Sequence, residues 1–100
     1  MIRHVVMWRL KNHAEGHSRA ENAALMNDML LALSSKVPEI RNLQVGFDVL
    51  RGEGSYDLVL MVDLDDLKAL ERYQRHPDHV KVAEFVSKVR ESRAVVDFAL

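Results

Sequence analysis

Ile2-Arg3-His4-Val5-Val6-Met7-Trp8-Arg9-Leu10 alternates residue by residue. In an extended chain successive side chains point to opposite faces, so Ile2, His4, Val6, Trp8 and Leu10 share one face and Arg3, Val5, Met7 and Arg9 the other. β-Branched and aromatic residues in such alternation predict a strand. Its second face is partly apolar too, through Val5 and Met7, so this strand needs cover on both sides.

Downstream, Lys11 to His17 is polar, contains Gly16 and reads as a loop. Ser18-Arg19-Ala20-Glu21 matches a capping box, in which a Ser and a Glu side chain satisfy each other's orphan amides at a helix start. The helix that follows carries Met26, Met29, Leu30, Leu33 and Val37 as one stripe and stops at Pro38. Ile40 to Leu50 alternates through Leu43, Val45, Phe47 and Val49 and predicts a second strand, with Gly46 marking a bulge or a close approach. Arg51 to Ser55 reads as a turn. Tyr56 to Leu64 predicts a third strand, with Tyr56, Leu58, Leu60, Val62 and Leu64 on one face and Asp57, Val59, Met61 and Asp63 on the other.

Asp65-Asp66 offers an N-cap to a short helix bearing Leu67, Leu70 and Tyr73. Pro77 suits a first helical position and restarts the chain into a helix with Val82, Phe85, Val86 and Val89 on its apolar side. The charged run Arg90 to Arg93 reads as its end, and Ala94 to Leu100 as a final strand. The order is β-α-β-β-α-β. It favours an α+β, ferredoxin-like domain over residues 1–100, with a four-stranded antiparallel sheet and the helices on one face. The other face, with Val5, Met7, Val59 and Met61, is then left bare, and a homodimer is the expected way to cover it.

The 14 Lys and Arg against 15 Asp and Glu are scattered and form no basic stripe with aromatics, so no nucleic-acid partner is expected. The absence of cysteine removes disulfides, thiolate metal sites and cysteine nucleophiles. No apolar run approaches a membrane span and no cleavable leader is visible, so a cytoplasmic location is expected.

Phosphate loops, G-x-S-x-G elbows and H-E-x-x-H motifs are missing. The remaining candidates are polar residues on faces that should be apolar. His4 lies among Ile2, Val6 and Trp8, and Asp97 among Val95, Val96 and Phe98, where a lone carboxylate is costly. The first and last strands are neighbours in this fold, so the two can meet, either as a structural pair or as an orienting pair in a pocket. Tyr73-Gln74-Arg75-His76-Pro77-Asp78-His79 is the densest polar cluster. His79 falls in the first turn of its helix, where the dipole and burial both favour the neutral imidazole that a general base needs. The alternative is a partly exposed His79 beside a Tyr73 that only packs. His76 and His79 lack a third ligand, so no metal is expected.

Ile2-Arg3-His4-Val5-Val6, Pro38-Glu39-Ile40 through Gly46, Tyr73-x-x-His76-Pro77-x-His79-Val80 and Val96-Asp97-Phe98 together resemble the stress-responsive A/B barrel family, across nearly the whole chain. The resemblance implies a dimeric α/β barrel. In one plant member, olivetolic acid cyclase, which closes a polyketide by aldol condensation, the catalytic His and Tyr match His79 and Tyr73. Its pocket His and Asp match His4 and Asp97. The first helix here lacks the cyclase's aromatic residues, and Leu58 stands where the cyclase has a further pocket histidine, so that substrate does not carry over. The implied activity is cofactor-free proton abstraction beside the carbonyl of a small hydrophobic compound, as in a cyclase, isomerase or lyase. A non-catalytic dimer that binds a small molecule or protects under stress is the main alternative, and cofactor-free oxygenation a third.

Overall fold

The computed structural model describes all 100 residues. Its strands are β1 (Ile2–Leu10), β2 (His13–Ala14), β3 (His17–Ser18), β4 (Asn42–Phe47), β5 (Leu58–Leu64) and β6 (Arg90–Ala99), and its helices α1 (Arg19–Lys36), α2 (Leu67–Arg75) and α3 (Pro77–Val89). The main sheet runs β4-β5-β1-β6 with every neighbour antiparallel. This is the ferredoxin-like order.

β1 lies at the centre and is buried at every second residue, as its alternation requires. Val6, Trp8 and Leu10 join Leu58, Leu60, Val62 and Leu64 beneath the helices. From α1 come Met26, Leu30 and Leu33, with Val37 just beyond its end, and α3 adds Val82, Val86 and Val89. The capping box forms as read: the Ser18 hydroxyl accepts from the Glu21 amide, and the Glu21 carboxylate accepts from the Ser18 amide.

Several boundaries differ from the sequence reading. The Lys11–His17 loop contains a two-residue ladder between β2 and β3, pinned by buried Asn22, whose amide donates to the Ala14 carbonyl at 3.0 Å. β4 stops at Phe47, which leaves Val49 and Leu50 on the surface of the connection. Gly46 pairs regularly with Val59 and marks no bulge; a Cβ there would lie 3.3 Å from Val59 Cγ1, so the close approach is the reading that holds. The bulge lies instead in β6, which starts at Arg90, four residues earlier than alternation suggested.

β5 begins at Leu58, because Asp57 is drawn into a different task. Its carboxylate is buried and accepts from the Leu10 amide at 2.6 Å and from Arg51 Nη2 at 2.6 Å, with Arg19 Nε 3.9 Å away. Burial alone would raise its pKa, but the Leu10 and Arg51 hydrogen bonds and the charge of Arg19 together hold it below the usual carboxylate range. Asp57→Ala leaves the Leu10 amide and the Arg51 guanidinium without that acceptor. It is expected to destabilise the fold by about 1–3 kcal/mol in urea titration, and a change within the noise would show that water replaces the carboxylate. The depressed pKa also fixes the sign of the pH effect. The stabilisation from Asp57 is present above the ordinary carboxylate range and is lost as pH falls through its lower folded value.

Candidate functional site

The joint between α2 and α3 is built by one residue serving two helices. His76 caps the C-terminus of α2, and its Nδ1 accepts from the Asp78 amide at 3.1 Å to cap the N-terminus of α3. Pro77 takes the first helical position, where its missing N–H costs nothing. His79 therefore sits in the first turn of α3 and looks back on the last turn of α2. Its Nδ1–H donates to the Gln74 carbonyl at 3.1 Å, one of the acceptors that a helix end leaves unpaired. A carbonyl can only accept, so this bond places the ring proton on Nδ1 and leaves the Nε2 lone pair available. Burial pushes the His79 pKa below its ordinary value. The Gln74 bond opposes that, and the nearby His4, Arg93 and His76 side chains push it down further.

Tyr73 lies beneath this histidine. It is fully buried, with its ring centroid 4.5 Å from that of His79 and 6.0 Å from that of His4 in an edge contact. Its hydroxyl has no hydrogen-bond partner, and burial holds its pKa well above the usual phenol range, so it stays protonated and able to donate. His4 and Asp97 are directly opposite in the β1–β6 ladder and meet on the helix side, where His4 Nδ1 donates to Asp97 Oδ1 at 2.5 Å. His4 is 2% exposed, while the Asp97 side chain remains 35% exposed at the sheet edge.

Between β1, α3 and β6 is a cavity of about 210 Å³. His4 and His79 are both on its wall, and Trp8, Val86, Arg90 and Arg93 line the remainder with further apolar side chains. Tyr73 is not a wall residue. It backs the histidine from the core, which differs from the expectation that both would line the space.

A model of the stress responsive A/B barrel domain matches residues 2–100. The chain belongs to this family. An uncharacterised protein of Streptomyces coelicolor is 30% identical over 80 residues, covering 79% of each chain. A dimeric ferredoxin-like protein of unknown function from Thermobifida fusca superposes with a TM-score of 0.84 at 28% identity, over 99% of this chain and 90% of the other. A hydroxynitrile lyase from Passiflora edulis shares the fold with a TM-score of 0.79 at 18% identity, over 99% of this chain and 92% of the other.

Three features of this A/B barrel site escaped the sequence reading. Trp8 reads in the sequence only as an apolar residue, yet its side chain is on the cavity wall and its buried indole N–H has no partner. Arg93 was assigned to a helix end, although it keeps the alternation phase of Val95 and Asp97, which is the signal that could have found it. Arg90 breaks that phase and carried no signal at all. His76 serves as a double cap, and no group of three or more metal-ligating side chains comes together anywhere in the chain. No helix is long and apolar enough to cross a membrane.

Proposed function

We propose that this A/B barrel protein is a cofactor-free enzyme, a cytoplasmic homodimer that removes a proton from the carbon beside a carbonyl in a small molecule. The observation that carries this reading is the state of His79. It is a half-buried imidazole on a cavity wall, with its proton committed to Gln74 and its other nitrogen unbonded. Nε2 takes the proton from carbon, and the electron pair moves to the carbonyl oxygen to give an enolate. Tyr73, buried off the cavity wall with its hydroxyl protonated and unpartnered, packs beneath the His79 ring and backs that base. His4, oriented by Asp97, holds the opposite side of the pocket. Ring closure, isomerisation and lyase cleavage all proceed from such an enolate. The cavity is smaller than the roughly 300–1,000 Å³ typical of drug-sized ligands, which supports a compact substrate.

The dimer forms through the outer sheet face. Val5, Met7, Val59, Met61, Val96 and Phe98 share that face by their pairing, and Val96 and Phe98 are 61% and 42% exposed. The Thermobifida relative is dimeric, which supports a dimer here. With no cysteine, the chain needs no oxidising compartment.

Deuterium uptake tests the enzymatic reading without knowledge of the natural substrate. Cyclohexanone, acetophenone and pyruvate are incubated with the protein in D₂O, and loss of the protons beside each carbonyl is followed by NMR. Exchange above the buffer rate with at least one of them is the expected result. Buffer-rate exchange with all three favours the non-catalytic binding protein.

A further inference from the structure

Six of the nine arginines in the chain are ion-paired to carboxylates: Arg3, Arg19, Arg41, Arg51, Arg72 and Arg75. Arg9 instead covers the Tyr56 ring at 4.8 Å. The two that remain, Arg90 and Arg93, have neither kind of partner, and both line the cavity beside His79. Their convergence has a backbone cause. In strict alternation from Arg93, Ser92 would face outward, Glu91 inward and Arg90 outward. The β1–β6 ladder pairs Trp8 with Arg93 and Arg9 with Ser92, but then Leu10 with Arg90, passing over Glu91. This one-residue bulge puts Arg90 on the helix side with Trp8 and Leu10 and removes Glu91 from the series. A glutamate that would have neutralised Arg93 is thus exchanged for a second guanidinium. No Asp or Glu is on the cavity wall, and Trp8, directly opposite Arg93, lines the same end.

A compartment lined by two arginines without carboxylate partners and by no acid is complementary to an anion. We propose that the cavity takes a small organic carboxylate, whose charged end is held by Arg90 and Arg93 beside the Trp8 ring. Guanidinium groups match the two oxygens of a carboxylate in one plane, and a partly enclosed wall strengthens such charge-assisted bonds. The inference deepens the enzymatic reading by naming the substrate class as a carbonyl compound that bears a carboxylate. The clamp marks the Trp8 end of the pocket and leaves the His4 and His79 end for the reacting carbon.

Trp8 is the sole tryptophan, so a ¹⁵N-labelled sample gives a single indole signal located in the cavity. That signal is followed while acetoacetate, benzoate and cinnamate, each beside its uncharged amide, are titrated at constant ionic strength. The expected result is saturable binding of at least one acid about tenfold or more tightly than its amide. The preference should disappear in the Arg90→Gln/Arg93→Gln protein, whose dispersed amide spectrum checks that it still folds, and should weaken in each single variant. Equal affinity for every acid and its amide, or no saturable shift with any acid, overturns the proposal. His79→Ala separates the two readings. If the charge preference stays while deuterium exchange is absent even from the unaltered protein, the clamp stands and the catalytic reading falls. If exchange occurs without charge preference, the reverse holds.

Discussion

His79→Ala is expected to reduce enzyme-dependent exchange beside the carbonyl by about 10² to 10⁴, the usual loss when a positioned general base is removed. The size of the effect follows from the placement of the base. His76 accepts from the Asp78 amide through Nδ1, so its ring proton sits on Nε2 and no lone pair is free. His4 faces the cavity from a different element, β1, so its Nε2 does not take the place of the His79 nitrogen on α3. The fold should persist, because His79 borders a cavity and its one hydrogen bond reaches a carbonyl that water can also satisfy. The pH profile gives a second readout. A base works in its neutral form, and His79 has a pKa below the ordinary 6.5. Exchange should therefore be fully developed at pH 7 and fall only as acid carries the solution through that lower value. An unaltered rate in His79→Ala, or a profile already falling well above pH 7 toward acid, would remove His79 as the base. Cooperative unfolding of the variant at ambient temperature would assign the residue to the core.

Val59→Asp should convert the dimer to monomer or to insoluble protein. Val59 stands on β5 near the middle of the outer face, beside Met7 on β1 and Gly46 on β4, so in a face-to-face dimer it lies far from solvent. A carboxylate placed there without a partner costs several kcal/mol per ion, and two-fold symmetry brings two such charges into one interface. The fold of each protomer should survive, since the helix side of β5 is untouched. Light scattering on the unaltered protein at micromolar concentration should give twice the chain mass of 11.5 kDa, and the variant a single chain mass. A single chain mass for the unaltered protein would refute the dimer. A variant that remains fully dimeric would place the interface elsewhere.

Gly46 matters to this surface in a small but definite way. With no side chain of its own it leaves room for Val59, and a Cβ would press on that residue at 3.3 Å. The sequence showed a glycine inside a strand; only the register showed which neighbour it serves.

Periodicity and capping chemistry were sufficient for the helices, the sheet order and the two faces of β1. The Ser18–Glu21 box, the stop at Pro38 and the restart at Pro77 depend on residues within one turn of each other, so they are legible in one dimension. The pairing of His4 with Asp97 was legible for a related reason. Both keep the alternation of their strands, and the ferredoxin-like order makes those strands neighbours. Tyr73 was placed near His79 correctly but on the wrong surface, because a helical stripe gives a direction toward the core without saying where the core ends and a cavity begins.

Tertiary structure alone decided the electrostatics of the pocket. Asp57 looked like an outward strand residue, yet the end of β1 and the arginines Arg19 and Arg51 capture it. Arg90 and Arg93 looked like the charged end of a helix, yet Arg93 faces the cavity by the alternation of β6 and a bulge in the hydrogen-bond ladder brings Arg90 to the same side. A bulge is a property of how two backbones pair, and neither strand records it in its own side-chain pattern. By itself the sequence determined the helices, the four strands of the main sheet, their order and which apolar face goes inside, because those follow from the period of each segment. The sign of charge facing the cavity had to wait for the register between β1 and β6, since one extra residue in a strand exchanges its two faces.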